Sequence, residues 1–516
     1  MSEIELKLLL DEPTSRELWA RVKAAKLANG HPTTKTLRSI YLDSPEHSLN
    51  KAGIALRLRR EGRRWVQTVK TKAELHGGLS QVGEVENLAP GGRPCPEAIP
   101  EAAIREEVLH LLNGTPLQPV CETVIKRSAG ELLLADGTRA ELAVDIGEIR
   151  AGERSARFSE MEIELIEGNP GGLFDIAHAL FPKGGLRFSR LSKAERGYLL
   201  AKEGRIDLPL CPQNAKGVAI DPAQTAELAA RDILRECLDQ MATNILAVRK
   251  LDDAEGPHQL RIGLRRLRSA FSVFSPLLQS PEMERLNGEA RWLGQEVGHL
   301  RDLDVVANDI VGRDAKSHPD EPGLAALSEA LPRRRAELCD HLRKLLVDAR
   351  VQAFLIDLAR FVETRGWLVP LDFGQTERLA MPTGDFAGQA LKKRWKKVVK
   401  YAHGLETLTT EQRHELRKEL KKLRYVVEFF SPLYPAKHVN PFLKRLKRLQ
   451  TVFGDLNDAA IVRTTLAEAE VLSADDPAAQ RAAGWVLGSS QARAEVGWTR
   501  ATALWRRLEK ARPFWK

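Results

Sequence analysis

The strongest constraint on this chain is an internal duplication in its second half. The run His258-Gln-Leu-Arg-Ile-Gly-Leu-Arg-Arg-Leu-Arg leads on to Phe274-Ser275-Pro276-Leu277, and His414-Glu-Leu-Arg-Lys-Glu-Leu-Lys-Lys-Leu-Arg leads on to Phe430-Ser431-Pro432-Leu433. The offset is 156 residues, and the same offset relates Leu293 to Leu449, Gly298 to Gly454, Leu300 to Leu456 and Asp302 to Asp458. Two ungapped matches at one offset mean two copies of one unit. The copies are far longer than solenoid repeats, and their apolar residues recur with the helical period. The sequence therefore predicts an all-α domain over 223–516, built from homologous helical bundles at about 223–366 and 385–516 and joined by the Pro/Gly-containing stretch 368–384.

The first half follows a different rule. Short alternating segments at 3–10, 37–43, 54–60, 64–72, 81–88, 120–126, 131–136, 140–148 and 159–166 read as strands, interrupted by helical patterns near 13–28, 97–112 and 172–181. The stretch 204–222, rich in Pro, Gly and Asn, reads as the linker, which makes 1–203 one domain. Charge divides at the same place. Residues 1–210 carry 30 basic and 30 acidic side chains, so the whole formal excess of +9 falls after residue 210 and marks the helical half as the polyanion-seeking part. No apolar run approaches the ~18 residues of a transmembrane helix, and the N-terminus is a charged strand pattern, so the expected location is cytoplasmic with no membrane partner. The five cysteines are odd in number and form no CxxC pair, which argues against a disulfide framework or a thiolate zinc site.

The opening residues Glu3-Ile4-Glu5-Leu6-Lys7-Leu8 put Glu3, Glu5 and Lys7 on one strand face and the aliphatic residues on the other. Alone, this reads as a half-solvated antiparallel strand, and a metal site needs the same pattern elsewhere. The pattern recurs, however. Arg57 and Arg59 alternate with Leu56 and Leu58, Lys70 and Lys72 end another strand, Glu84 alternates with Glu86, Asp145 follows Val144, and Glu160, Glu162 and Glu164 alternate with Met161, Ile163 and Leu165. Acidic and basic positions segregate by strand. A closed antiparallel sheet with a polar interior would gather them in one tunnel. Burying such charges unpaired costs on the order of several kcal/mol per ion, so the tunnel calls for divalent metal ions, Mg2+ or Mn2+, and for a phosphate chain as substrate.

These residues resemble the CYTH domain of the triphosphate tunnel metalloenzymes. The resemblance runs through Glu3-x-Glu5-x-Lys7, Tyr41-x-Asp43, Arg57-x-Arg59, Lys70-Thr71, Glu84, Arg127, Asp145-x-Gly147, Glu162-x-Glu164 and Ser192-Lys193-Ala194-Glu195-Arg196-Gly197-Tyr198. It implies an α+β domain with an eight-stranded antiparallel β-tunnel. It also implies that Glu3, Glu5, Asp145, Glu162 and Glu164 hold the metals, while Lys7, Arg57, Arg59, Lys70, Arg127 and Lys193 cradle the phosphates. Glu84, acidic and near this set, belongs with Glu3, Glu5 and Lys7 in the catalytic group, either contacting metal or positioning water.

In the helix from 258, Leu260, Leu264, Leu267, Phe271 and Phe274 form the core stripe. At 100° per residue His258, Arg261, Arg265 and Arg268 share an adjoining face within about 80° of one another, and His414, Arg417, Lys421 and Arg424 repeat it. Two such faces can line one basic groove, with Lys392, Lys393, Arg394, Lys396 and Lys397 and the Lys444–Arg448 run nearby. Cationic neighbours disfavour a metal at these histidines; imidazole bonding to phosphate fits better. This half resembles the CHAD domain, which implies two pseudo-symmetric four-helix bundles and affinity for inorganic polyphosphate. The segment Gly298-His299-Leu300-Arg301-Asp302 matches well, whereas Gly454-Asp455-Leu456-Asn457-Asp458 lacks the His and Arg. Few aromatics interleave the basic runs and no nucleic-acid motif is present, so nucleic acid is not an expected partner.

The expected activity is metal-dependent hydrolysis of inorganic triphosphate to pyrophosphate and phosphate, with an appended polyphosphate-binding module and association with polyphosphate granules. The alternatives are a non-catalytic polyphosphate adaptor, an adenylate cyclase of the tunnel type, or a thiamine triphosphatase.

Overall fold

The computed structural model describes residues 2–468, 477–511 and 513–515. The chain divides into two compact units, residues 1–210 with 348–364, and residues 211–347 with 365–516.

In the first unit the strands are β1 (Ser2–Leu9), β2 (Ala28–Asp43), β3 (Ile54–Glu61), β4 (Arg64–His76), β5 (Leu79–Leu88), β6 (Gln118–Leu133), β7 (Arg139–Ala151), β8 (Arg154–Glu167) and the two-residue β9 (Arg187–Phe188). They pair antiparallel in the order β5-β4-β3-β2-β6-β7-β8-β1, and β5 pairs with β1, so the eight long strands close into a barrel while β9 flanks β1. The alternation of side chains then has a definite sense. Leu6, Leu8, Leu142, Met161 and Ile163 point outward and are fully buried, beneath α1 (Glu12–Ala24) and α4 (Gly171–Leu180). Helices α2 (Ser48–Lys51) and α3 (Ala102–Leu112) cover β3 and β4 through Leu49, Val108, Leu112, Leu56, Leu58 and Val69. The charged residues consequently face the lumen.

Helix α5 (Lys193–Glu203) starts at a capping box, in which the Ser192 hydroxyl accepts from the Glu195 N–H and the Glu195 carboxylate accepts from the Ser192 N–H. Its Ala194 and Tyr198 pack with Tyr41, Cys121, Ile125, Ile149 and Phe158, residues on the lumen side of the strands, so α5 fills one end of the barrel. This close approach requires Gly197, where a Cβ would lie 2.0 Å from Cys121 Sγ. Asp43 of the Tyr41-x-Asp43 segment has a structural task. It is fully buried, accepts from the Leu49 and Asn50 amides at the start of α2, and accepts from Tyr198 Oη at 2.7 Å.

The expected strands are present, several of them longer than expected, β4 and β8 among them, and β9 and α2 are additions. The segments 120–126 and 131–136 are one strand, β6, and the helix expected near 13–28 ends at Ala24, with Ala28 opening a longer β2. The side chain of Lys72 lies outside the described residues.

The second unit is helical. In its first copy are α6 (Ala226–Lys250), α7 (Glu255–Leu278), α8 (Pro281–Asp304), a π-helical turn over Val305–Val311, α9 (Gly312–Ser317) and α10 (Pro322–Leu345). Helix α11 (Ala349–Glu363), which the sequence places in this copy, groups instead with the barrel, packing on α4. The second copy follows α12 (Phe373–Ala380) with α13 (Thr383–Tyr401), α14 (Thr410–Phe430), α15 (Ala436–Glu468), α16 (Pro477–Thr499) and α17 (Ala501–Glu509). Its antiparallel neighbours repeat the first copy's: α6 packs on α7 and α7 on α8, as α13 packs on α14 and α14 on α15. The two copies meet where α7 packs on α14. Among the described residues no helix is long and apolar enough to cross a membrane.

Candidate functional site

Strand register brings the lumen charges together. Glu5 of β1 lies opposite Glu164 of β8 and Lys7 opposite Glu162; Asp145 of β7 lies opposite Glu160 of β8 and Arg127 of β6; Lys70 of β4 lies opposite Glu84 of β5. Glu5, Lys7, Arg57, Asp145, Glu160, Glu162 and Lys193 are all buried.

The charges sort into two groups that differ in how well they are balanced. In the first, Lys193 Nζ stands 2.9 Å from Asp145 and 2.8 Å from Glu162 and also meets Glu160. Arg127 binds Asp145 through two bonds of 2.8 and 2.7 Å and reaches Glu162 at 2.5 Å. Burial opposes ionisation here, yet Lys193, Lys7 and Arg127 hold Glu162 well below the carboxylate range, and Lys193 and Arg127 also lower Asp145. Oxygens of Asp145, Glu160 and Glu162 lie within 4.8 Å of one another, the spacing of a metal site. The position is already served by an ammonium group, however, so a metal ion there would compete with Lys193.

The second group is short of positive charge. Lys70 Nζ bonds Glu3 at 2.9 Å and Glu84 at 2.6 Å, Arg57 reaches Glu84 at 3.2 Å, and Lys7 bonds Glu5 at 2.8 Å. Burial, a bond to Glu84 and the nearby Glu5 and Glu84 charges raise the Glu3 carboxyl to about 8, against the pull of Lys70. Glu84 moves the opposite way. Burial would raise it, but the bond from Glu3 and the cations of Lys70 and Arg57 lower it to about 2. Glu3 and Glu84 therefore share one proton. Glu164 is also raised, by burial and by the Glu5 and Glu141 charges, although a bond with Glu3 opposes this. A proton held between carboxylates marks a place where a divalent cation is better accommodated, and oxygen-only donors suit a hard ion.

All the tunnel residues expected from the sequence share this lumen. Arg59 sits at its side, with Nε 3.4 Å from Ser39 Oγ, while Glu86 is exposed and accepts from Thr68. Glu160 and Glu141 were not singled out by the sequence as site residues. The alternation Glu160-x-Glu162-x-Glu164 carried the signal for Glu160; Glu141 becomes relevant only through its register with Glu164.

In the helical unit the two basic faces oppose each other. Arg265 and Arg261 of α7 act on Arg417 and Lys421 of α14. With burial as the leading cause, they lower Arg417 to about 10 and Lys421 to about 6. Arg261 is held by Asp302 at 2.5 Å, Arg268 Nε lies 3.4 Å from Asn287, and Arg424 lies 3.3 Å from Gln450. His258 is half-buried and His414 exposed; burial and adjacent cations lower both. Cations that depress one another's protonation are poised for an anion.

Residues 1–198 match the CYTH domain family model and residues 232–467 the CHAD domain family model. Over 208 residues the chain is 32% identical to an inorganic triphosphatase of Haemophilus influenzae, a match covering 39% of this chain and 56% of that relative's length. It is 26% identical over 504 residues to an uncharacterized protein of Mycobacterium tuberculosis, covering 90% of this chain and 88% of the relative. Among solved structures, the CHAD domain of the plant Ricinus communis superposes with a TM-score of 0.50 at 26% identity, covering 58% of this chain and 98% of that one.

Proposed function

From a chain that is a CYTH domain followed by a CHAD domain, we propose a divalent-metal-dependent inorganic triphosphatase that splits tripolyphosphate into pyrophosphate and phosphate and whose helical half binds inorganic polyphosphate, with association at polyphosphate granules. The observation that carries the reading is the charge imbalance inside the tunnel. Glu3 shares Lys70 with Glu84, and the Glu3 and Glu164 carboxyls are raised despite their cationic neighbours, while Arg57, Arg59, Lys70 and Lys7 line the same lumen. The acidic side fits Mg2+ or Mn2+, which would neutralise phosphate oxygens and polarise the attacking water. The basic side holds the phosphate chain. Arg57 and Lys70 stabilise charge on the pyrophosphate leaving group as the phosphorus–oxygen bond breaks, the water oxygen bonds to the terminal phosphorus and the water's proton passes to an oxygen of the phosphate released. Glu84, at about 2, is too weak a base to deprotonate water. It orients the water instead. Arg127 and Lys193, engaged with Asp145, Glu160 and Glu162, reach a phosphate only by sharing these partners.

The test is phosphate release from tripolyphosphate, ATP and thiamine triphosphate with Mg2+ or Mn2+, alongside an assay for cyclic AMP. Metal-dependent release strongest with tripolyphosphate, lost in Glu5→Gln and Lys7→Ala, is the expected result. No metal-dependent turnover of any substrate would overturn the enzymatic reading. Binding of long-chain polyphosphate, weakened in Arg417→Ala and His414→Ala, tests the helical half separately.

A further inference from the structure

Between the two helical copies lies a cavity of about 480 Å3, where the C-terminal end of α7 meets α12, α13 and α14. Five cations line it: Arg378, Lys393, Arg394, Lys397 and Lys422. Glu419, buried beside it, takes Arg394 at 3.0 Å, Lys397 at 3.2 Å and Lys422 at 2.8 Å, so three cations share one negative charge. Arg378 donates to the Pro276 carbonyl and lies 3.9 Å from Asp372. Lys393 has no carboxylate partner among the described residues. Positive charge therefore exceeds negative in the cavity.

The duplication shows that this excess is not inherited from the bundle design. The buried faces of α6 (Ala226, Ala229, Ala230, Leu234, Met241) and α13 (Thr383, Phe386, Ala387, Leu391, Val398) align at an offset of 157 residues. Lys393 then corresponds to Glu236, and Lys422 corresponds to Arg266 at the offset of 156. In the first copy Glu236 pairs with Arg266 at 2.6 Å and the position is neutral. In the second copy the sign at the acidic position is reversed.

The rest of the wall is mostly apolar, with Ser272, Ser275 and Gln389 as its uncharged polar side chains. Val273, Leu277, Phe386 and Val426 line the cavity. On the Arg378 side the turn before α12 presents Leu371, 88% exposed, and α12 opens with Phe373, 80% exposed. Leu371 holds a left-handed φ of 65°, which a leucine adopts only at a steric cost. The turn is fixed nonetheless, because the Gln375 side chain accepts from the Val369 N–H at 2.9 Å and donates to the Trp367 carbonyl at 2.8 Å. An inorganic polyphosphate, charged along its whole length, makes no use of such a surface.

We propose that this cavity is a second anion site, taking a phosphate monoester with an apolar body, the chemistry shared by a soluble organic phosphate and a phosphatidate headgroup. The test uses the full chain. Calorimetry compares phenyl phosphate with inorganic phosphate, and sedimentation compares phosphatidylcholine vesicles with and without phosphatidic acid. Phenyl phosphate should bind at least about tenfold more tightly than inorganic phosphate, survive saturation with long-chain polyphosphate, and weaken about tenfold or more in Lys393→Glu and Arg378→Gln, whose thermal unfolding should match the parent. Phosphatidate-dependent sedimentation lost in Phe373→Ser identifies the lipid source; binding of phenyl phosphate without it identifies the soluble one. The proposal is overturned if phenyl phosphate gains nothing over inorganic phosphate and vesicles do not sediment the protein, if Lys393→Glu binds like the parent, or if polyphosphate displaces the probe.

Discussion

Lys193 meets Asp145, Glu160 and Glu162 at once, and each of those carboxylates is buried. Removing one partner of a buried ionic cluster leaves uncompensated charge and costs about 3–5 kcal/mol. Lys193→Met should lower stability by that order near pH 7 in urea unfolding. It should cost less near pH 5, because the orphaned carboxylates, their folded pKa values now raised, take up protons that relieve the repulsion. Equal losses at both pH values would count against the cluster. Lys421 tests the other half. Its folded value of about 6 lies below the ordinary 10.5. Between those values the unfolded chain binds the extra proton, so this group's contribution to stability is full above the window and is lost as pH falls toward 6. A bound polyanion restores the charge on Lys421 and so takes up a proton. Affinity for polyphosphate should fall as pH rises through the window, and Lys421→Arg should flatten that slope in calorimetry across buffers of different ionisation heat. Charged residues in both halves were legible because each side chain belongs to a repeated local pattern. The pairing of Lys193 with three acids was not, since it depends on α5 entering the barrel.

Among elements, the barrel strands that alternate cleanly, such as β1, β3 and β8, could be read directly, and the ones that do not were cut short. The sequence breaks β6 near Ser128-Ala129-Gly130, residues that suggest a turn. The strand runs through because β7 pairs with it from Glu122 to Leu133, and Gly130 serves close packing instead, since a Cβ there would lie 3.1 Å from the Trp19 ring. The first half of β2 is exposed and polar, with no alternation to detect, and takes strand form by pairing with β6. Helix α5 makes the sharpest demand. Gly197→Ala would drive a methyl into Cys121 Sγ at 2.0 Å, and overpacking of this kind costs about 1–3 kcal/mol. Thermal unfolding should show that loss, and adding Cys121→Ala should recover part of it. Additive effects of the two substitutions would mean that α5 does not press on β6 at this point.

The division of the whole molecule falls within the linker, between residues 210 and 211, but not there alone. The stretch 204–222 reads as the boundary between the two domains, yet the chain leaves the helical unit again at residue 348 and returns at 365, so α11 completes the barrel unit from the middle of the duplicated half. Sequence could not separate α11 from its neighbours, because an amphipathic helix looks alike whichever unit it packs in. Its contacts are specific. The Gln352 side chain accepts from the Leu186 N–H at 2.8 Å, His178 Nε2 lies 2.8 Å from Asp357, and Arg360 bonds Asp175 at 2.5 Å. Leu186 opens the segment that forms β9, which pairs with β1, and the Ser189 N–H donates to the Lys7 carbonyl at 3.0 Å. Support therefore passes from α11 to the strand that carries Glu3, Glu5 and Lys7. A fragment ending at residue 210 should unfold at lower urea than the barrel in the full chain and turn over tripolyphosphate with reduced efficiency. Fusing residues 348–364 to it through a Gly/Ser linker should restore stability, and Gln352→Leu in that fusion should remove much of the gain, because the Leu186 N–H would be left buried without an acceptor at a cost of about 1–3 kcal/mol. A 1–210 fragment as stable and as active as the fusion would return α11 to the helical unit and leave the linker as the true boundary.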